Sequence, residues 1–297
     1  MTYAKFDCFF HHRIAMTEQI QDTGKFRENT KDQFYTKSSI ARECVDSILS
    51  NYPEALEHLW VEPSAGNGAF INILPRGVHK VAMDLEPKAP EIVKADFLTW
   101  KPITDGEKIF FGNPPFGSQG SLAKSFIKHA AANNARVIAF ILPRSFMKPS
   151  MSSAFPSFFH CIYQRELPKD SFEVNREAYD VPCVFQIWLK KNEQREPEEK
   201  VLPSGFTYVK PNETYHMAFR RVGVYAGKSY LNDANTGTFS PQSHYFLAFD
   251  EKYLPILQKI KDAINKHTFP SNTVGPRSLS KGEANQVINM ILLTLEL

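Results

Sequence analysis

Trp60-Val61-Glu62-Pro63-Ser64-Ala65-Gly66-Asn67-Gly68-Ala69-Phe70 reads as a strand, a turn of small residues and the start of a helix. Gly66 and Gly68 let the backbone approach a ligand closely, and a helix N-terminus offers free N–H groups. A nucleotide-like ligand fits such a turn. Spacing excludes its two commonest forms. The dinucleotide fingerprint needs a third glycine at position 71, where Ile71 stands, and the phosphate loop needs a following G-K-[ST]. What remains is a glycine turn beside an acid, Glu62, which suits a cofactor carrying positive charge rather than phosphate.

Around this turn, from about Asp32 to Lys191, short apolar runs alternate with helix-like segments, the pattern of a parallel sheet with helices on both faces. Strands are expected at 59–62, 80–84, 92–95, 108–112 and 136–142. A helix is expected over 121–133, with Leu122, Phe126, Ile127 and Ala130 on its apolar face. Two further runs, 161–167 and 181–189, flank a polar loop at 168–180 and read as neighbouring strands closing the sheet. The charged stretch 190–200 reads as a linker or surface loop. Beyond it the alternation stops, and turn signals at Asn212, Gly223, Gly227 and Asn235-Thr236-Gly237 point to a small second domain. The expected organisation is an extension over 1–30, an α/β domain over 31–191 and a C-terminal recognition or accessory region over 201–297.

Composition is that of a folded globular chain: 297 residues, 42% hydrophobic and 23% charged, with a net charge of +3 that permits a polyanionic partner without demonstrating one. Cys8, Cys44, Cys161 and Cys183 show no C-x-x-C spacing, so neither a zinc site nor a disulfide framework is indicated, and no metal is expected. The N-terminus lacks the pattern of a secretion signal, and no apolar run approaches the ~18 residues of a membrane span. An intracellular protein, cytoplasmic or nuclear, with no membrane partner is expected.

Two acids follow later strands. Asp84, after Val81-Ala82-Met83, is placed to accept hydrogen bonds from ribose hydroxyls. Asp96-Phe97 follows the third strand, where a carboxylate can accept from an adenine amine and a ring can cover its face. Each acid taken singly also reads as a strand-end cap. Next comes Asn113-Pro114-Pro115-Phe116, at the end of the apolar run Lys108-Ile109-Phe110-Phe111-Gly112. Two prolines there can simply stop a strand, but that leaves the preceding amide and the following ring unexplained. Together the four residues form a stiff, donor-poor edge able to hold a flat ring bearing an amine.

The ordered set resembles the class I S-adenosylmethionine-dependent methyltransferases of the N6-adenine group. The likeness spans about residues 31–191. Residues 62–70 are similar to that family's cofactor loop, Asn113-Pro114-Pro115-Phe116 to its catalytic motif, and Gln33-Phe34-Tyr35-Thr36 to the segment covering the cofactor's methionine portion. The resemblance implies a Rossmann-like fold with a mostly parallel seven-stranded sheet. It implies S-adenosylmethionine as cofactor, held by Phe34, Tyr35, Thr36, Glu62, Ser64, Ala65, Gly66, Asn67, Gly68, Asp84, Leu85, Asp96, Phe97 and Asn113. It also implies nucleic acid as partner, with DNA slightly ahead of RNA.

The exocyclic amine of adenine is a poor nucleophile because its lone pair is delocalised into the ring. Hydrogen-bond acceptance from both amine hydrogens, by the Asn113 side chain and the Pro114 carbonyl, would favour a pyramidal nitrogen. Phe116 is expected to stack on the base, and Phe172 is either a second base contact or a packing anchor. Lys169 and Arg176, in the same loop, read as solvated or phosphate-contacting cations. A zinc deaminase is excluded because Pro182-Cys183 is followed by Val184-Phe185. Competing readings are an RNA methyltransferase of ribosomal type, methylation of a protein glutamine amide, and a non-catalytic nucleic-acid-binding subunit.

The resemblance does not reach the C-terminal region. There Phe219-Arg220-Arg221, Lys228-Ser229-Tyr230 and His244-Tyr245-Phe246 interleave cations and aromatics, which suits nucleic acid and equally an ordinary small β domain. Ser280-Lys281-Gly282-Glu283 reads as a capping box. The apolar run after it is expected to dock on the core or to form a contact with a second copy or a partner subunit.

Overall fold

The computed structural model describes residues 34–174, 177–197, 199–233, 238–269 and 277–295. The extension over 1–30, with Cys8 and His11-His12, lies outside the described residues, as do Gln33, Arg176 and Asn235-Thr236-Gly237. In chain order the strands are β1 (Tyr35–Thr36), β2 (Leu59–Glu62), β3 (Lys80–Asp84), β4 (Val93–Lys94), β5 (Lys108–Gly112), β6 (Ala135–Pro143) and β7 (Phe159–Glu166). They continue with β8 (Phe172–Val174), β9 (Glu177–Tyr179), β10 (Cys183–Lys190), β11 (Phe206–Val209), β12 (Met217–Arg220), β13 (Ser229–Leu231) and β14 (His244–Phe249). The α-helices are α1 (Ser38–Asn51), α2 (Ser121–Ala132), α3 (Leu257–Lys266) and α4 (Lys281–Leu295).

Seven strands form the main sheet in the order β4-β3-β2-β5-β6-β10-β7. Neighbours from β4 to β6 run parallel, and β10 lies antiparallel between β6 and β7, so the expected strand pair closes the sheet. The fold is the Rossmann-like one, with a mostly parallel seven-stranded sheet. Its centre follows from composition: β5 is buried at every residue, as a strand covered on both faces must be. Even Lys108 is enclosed, because its ammonium donates to the carbonyls of Thr104 at 2.8 Å and Gly106 at 2.5 Å.

Side chains alternate between the two faces. Ile109 and Phe111 join the core under α1, which buries Ile40, Ala41, Cys44, Val45 and Ile48. Phe110 joins the core under α2, which buries Ala123, Phe126, Ile127 and Ala130. Leu122, expected on that face, is instead 40% exposed, because the buried stripe begins one residue later at Ala123.

Three local expectations need correction. The glycine turn does not open an α-helix; only a 3-10 turn, Ile71–Ile73, follows it. Pro75 lacks the N–H that a helix would bond to the Ile71 carbonyl, and that carbonyl accepts from Lys80 Nζ at 3.0 Å instead. The strand expected at 92–95 shrinks to Val93–Lys94, a sheet edge with both side chains exposed. The loop expected at 168–180 contains β8 and β9, which with β1 make a three-stranded sheet in the order β1-β8-β9.

The C-terminal residues form an antiparallel sheet, β11-β14-β12-β13, with α3 and α4 packed against it around Phe206, Met217, Phe219, Leu247, Ile260 and Ile288. α4 starts with the expected capping box: Ser280 Oγ accepts from the Glu283 N–H at 3.2 Å, and Glu283 Oε2 accepts from the Ser280 N–H at 2.8 Å. Apart from residue 198, which lies outside the described residues, 191–200 form the expected surface loop, anchored by one side chain. Arg195 donates to the carbonyls of Ser152, Phe155 and Phe159 and lies 5.0 Å over the Trp188 ring. Lys148, just beyond β6, donates to the Ser278 carbonyl at 2.6 Å and pairs with Glu283 at 3.1 Å, tying the two sheets' regions together. Among the described residues no helix is long and apolar enough to cross a membrane.

Candidate active site

At the carboxyl ends of β2, β3 and β5 lies a cleft of about 620 Å³. The glycine turn forms one wall, stitched to the end of β3. The Ala65 N–H donates to the Met83 carbonyl at 2.9 Å, the Gly66 N–H to Asp84 Oδ2 at 2.8 Å, and the Glu86 N–H to Asp84 Oδ1 at 2.8 Å. Asp84 therefore orients the turn while presenting its carboxylate to the cleft. Gly66 sits at φ +51°, where a Cβ would also lie 3.1 Å from the Tyr35 ring, so glycine is what allows β1 to lie over the turn.

Glu62 forms the floor. It is 1% exposed, and its Oε2 has no hydrogen-bond partner. Burial pushes its carboxyl well above the usual carboxylate range, more than the Ile71 backbone hydrogen bond and the Lys80 charge bring it down, and Asp84 adds to the rise. Gly112, at φ +118°, brings the backbone against it: a Cβ there would meet Glu62 Cγ at 3.3 Å.

Asn113 follows immediately. The Ser64 hydroxyl donates to its backbone carbonyl at 3.0 Å, joining the glycine turn to the end of β5. Its Nδ2 lies 3.5 Å from the Phe34 carbonyl, and its Oδ1 is buried with no partner. A buried amide oxygen is normally satisfied, so an unsatisfied one beside a cleft points to a donor that arrives with a ligand. Pro115, Gly117, Leu122 and Phe126 continue this wall.

Thus Phe34, Tyr35, Thr36, Glu62, Ser64, Ala65, Gly66, Asn67, Asp84, Leu85, Asp96, Phe97, Asn113 and Pro115 all line one cleft. Gly68, Pro114, Phe116 and Phe172 do not. The Gly68 N–H turns back to the Ala65 carbonyl at 2.7 Å. Phe116, expected to stack on a base, is 2% exposed and packs 5.5 Å from Phe34. Phe172 is fully buried, edge-on to Phe34 at 5.6 Å, because β8 pairs with β1 through Thr36 and Phe172. Of its two readings, the packing anchor is the one that matches. Phe97 lines the cleft although it is 1% exposed, its ring packed among Phe110, Phe126 and His129.

Leu98, Glu86 and Leu122 also line the cleft and were not expected there. A signal existed for Leu98: its N–H donates to Asp96 Oδ1 at 2.9 Å, the turn an Asp two residues earlier promotes. Leu122 carries no such signal, since it reads as one more apolar residue of α2. Among the described residues no group of three His, Cys, Asp or Glu side chains could hold a metal ion.

No protein-family model matches this chain, and no curated protein matches it in sequence. Solved structures do resemble it. The methyltransferase subunit of a type I restriction-modification system from Streptococcus thermophilus is 15% identical with a TM-score of 0.39, over 57% of this chain and 47% of that one. Magnesium protoporphyrin IX methyltransferase from Synechocystis PCC 6803, with bound S-adenosylmethionine, is 10% identical with a TM-score of 0.36, over 52% of this chain and 81% of that one. A Burkholderia thailandensis 1,6-didemethyltoxoflavin-N1-methyltransferase, with bound S-adenosylhomocysteine, is 11% identical with a TM-score of 0.36, over 52% of this chain and 80% of that one. None of the three exceeds 15% identity or a TM-score of 0.39.

Proposed function

We propose that this chain is an S-adenosylmethionine-dependent methyltransferase acting on the N6 amine of adenine in nucleic acid, with DNA ahead of RNA. The observation that carries the reading is the buried, unpartnered Oδ1 of Asn113 in a cleft shared with Asp84. The residues fit the cofactor: Asp84 and Asp96 supply acceptors for hydroxyl and amine groups, Leu85 and Leu98 supply apolar contact, and Tyr35 and Thr36 lie across the glycine turn. When bound there, the cofactor supplies a methyl group activated by a sulfonium.

The chain's own residues position the nucleophile. Asn113 Oδ1 accepts one amine hydrogen and favours a nitrogen lone pair directed at the methyl carbon. Ser64 fixes the Asn113 backbone relative to the glycine turn, so both reactants are referred to one hydrogen-bonded frame. Leu122 and Phe126 make the neighbouring wall apolar, which limits water near the reacting atoms. The amine proton is lost after transfer, so no strong base is needed. With Phe116 buried against Phe34, stacking on the base falls to another residue.

Transfer of labelled methyl groups to DNA, RNA and peptide pools, followed by mass spectrometry of the hydrolysed products, tests the reading. N6-methyladenine is the expected product. Label recovered only in glutamine, or no transfer to any pool, overturns it.

A further inference from the structure

The turn between β12 and β13 carries Val224 and Tyr225 at its tip, 86% and 62% exposed. Behind it lies a pocket of about 220 Å³ whose lining includes Lys228, Lys266, His267 and Arg277 and no acidic residue. Among the described residues none of these cations is paired with a carboxylate. Lys228 and Lys266 are exposed, and the Lys228 ammonium is steadied by the Asn265 carbonyl at 2.9 Å. Solvated lysines are ordinary one at a time; here Lys228, Lys266 and Arg277 line one concavity with an exposed tyrosine ring, the combination of cations and an accessible aromatic face that nucleic-acid surfaces use.

The turn is tied to a segment that leaves the main sheet at the same end as Asn113. β5 and β6 are parallel, and Gly112 is in register with Phe140, so Asn113 and the segment after Pro143 leave the same sheet edge. Lys148, in that segment, grips the Ser278 carbonyl. Ser278 bridges to Val222, and the Gly223 N–H donates to the Arg277 carbonyl at 2.9 Å. Arg277 and the 223–227 turn are thus linked, through Lys148, to the segment that follows β6.

We propose that the 223–228 turn is a nucleic-acid contact, in which Tyr225 stacks on a base while Lys228, Lys266 and Arg277 hold backbone phosphates next to the target adenine. This deepens the methyltransferase reading and rests on it for the identity of the target. Aromatic stacking flanked by cations is how proteins hold unstacked nucleic acid without a sequence code. On a duplex, the exposed Val224 and Tyr225 would reach bases by inserting between base steps, as apolar wedges do.

The test is binding of the full chain to a fluorescent oligonucleotide across a salt series, with Lys228→Ala, Lys266→Ala and Arg277→Ala combined and, separately, Tyr225→Ala. The triple variant is expected to bind duplex DNA about tenfold or more weakly at moderate salt, with a log–log salt slope shallower by about 0.9 for each phosphate no longer neutralised. Tyr225→Ala is expected to cost about tenfold in affinity with the slope unchanged, since a ring contributes stacking and no charge. The single exposed-site variant Lys266→Glu covers the case in which the triple variant does not fold.

Unchanged affinity and slope in folded variants overturn the assignment. So does equal retention of poly-glutamate, lost in the same variants, which would make the surface a site for acidic protein. If the parent chain shows the cation-dependent slope yet transfers no methyl group to any pool, the surface stands and the catalytic reading fails.

Discussion

The Ser64 hydroxyl and the Asn113 carbonyl meet at 3.0 Å across 49 residues of sequence, and this bond makes one rigid unit of the glycine turn and the end of β5. Ser64→Ala removes a single neutral hydrogen bond worth about 1 kcal/mol. Its consequence for rate should be larger than for stability, because two reacting groups are referred to it. The expected outcome is turnover lowered about tenfold with cofactor affinity changed less than about threefold, read by single-turnover kinetics and calorimetry. Equal losses in both would mean that the bond serves only cofactor binding.

Asn113→Ala deletes the unpartnered Oδ1 itself. Loss of one such acceptor is expected to lower turnover by about 10²- to 10³-fold while cofactor affinity stays near that of the parent. Turnover unchanged by this substitution would sink the proposed activity.

Asp84 holds two backbone N–H groups as well as facing the cleft. Asp84→Asn keeps its shape but weakens it as an acceptor, and Asp84→Ala removes it. Cofactor dissociation constants are expected to rise about tenfold for the first and up to about a hundredfold for the second, in the range of hydrogen bonds to a charged group. Calorimetry showing parental affinity in Asp84→Ala would remove its ribose role.

The parallel sheet was legible because buried strands announce themselves: Ile109-Phe110-Phe111 serves both faces at once and has to be apolar throughout. Most of the cleft was legible for a related reason, since its residues sit at strand ends where polar residues break apolar runs. What stayed hidden depends on contacts between distant segments. Nothing near Phe172 says that β8 will pair with β1 and bury its ring, and nothing near Phe116 says that Phe34 will cover it. The missing helix after the glycine turn was locally encoded, in Pro75, but a helix start was the more familiar continuation of a strand and a glycine turn.

Glu62 gives a pH dependence with a definite sign. Burial raises its folded-state value above the ordinary 4.5, so the native chain keeps a proton that the unfolded chain releases. The stability this contributes is fully present below pH 4.5 and is lost as pH rises through the folded value. Glu62→Gln has no proton to lose. Melting temperatures measured from pH 4 to 9 should therefore fall less steeply with pH in the variant, and the variant should gain on the parent as pH rises. Parallel curves would show that Glu62 ionises as freely in the folded chain as in the unfolded one.

Lys148 links the segment after β6 to the C-terminal region. Its side chain is only 10% exposed, and its ammonium is shared between the Ser278 carbonyl and Glu283, the same carboxylate that caps α4 at Ser280. Lys148→Met keeps the aliphatic stem but leaves that carbonyl and part of that carboxylate without their donor, a loss of about 2 kcal/mol that urea unfolding can measure. The capping box survives, since Glu283 still accepts from the Ser280 N–H and hydroxyl. α4 should therefore remain folded while the connection between the two sheets weakens. If the C-terminal region presents nucleic acid to the cleft, KM for the oligonucleotide rises, whereas cofactor affinity and turnover at saturating oligonucleotide stay near parental. A fall in cofactor affinity instead would mean that Lys148 supports the catalytic sheet itself, and the role of the C-terminal region in holding substrate would lose this support.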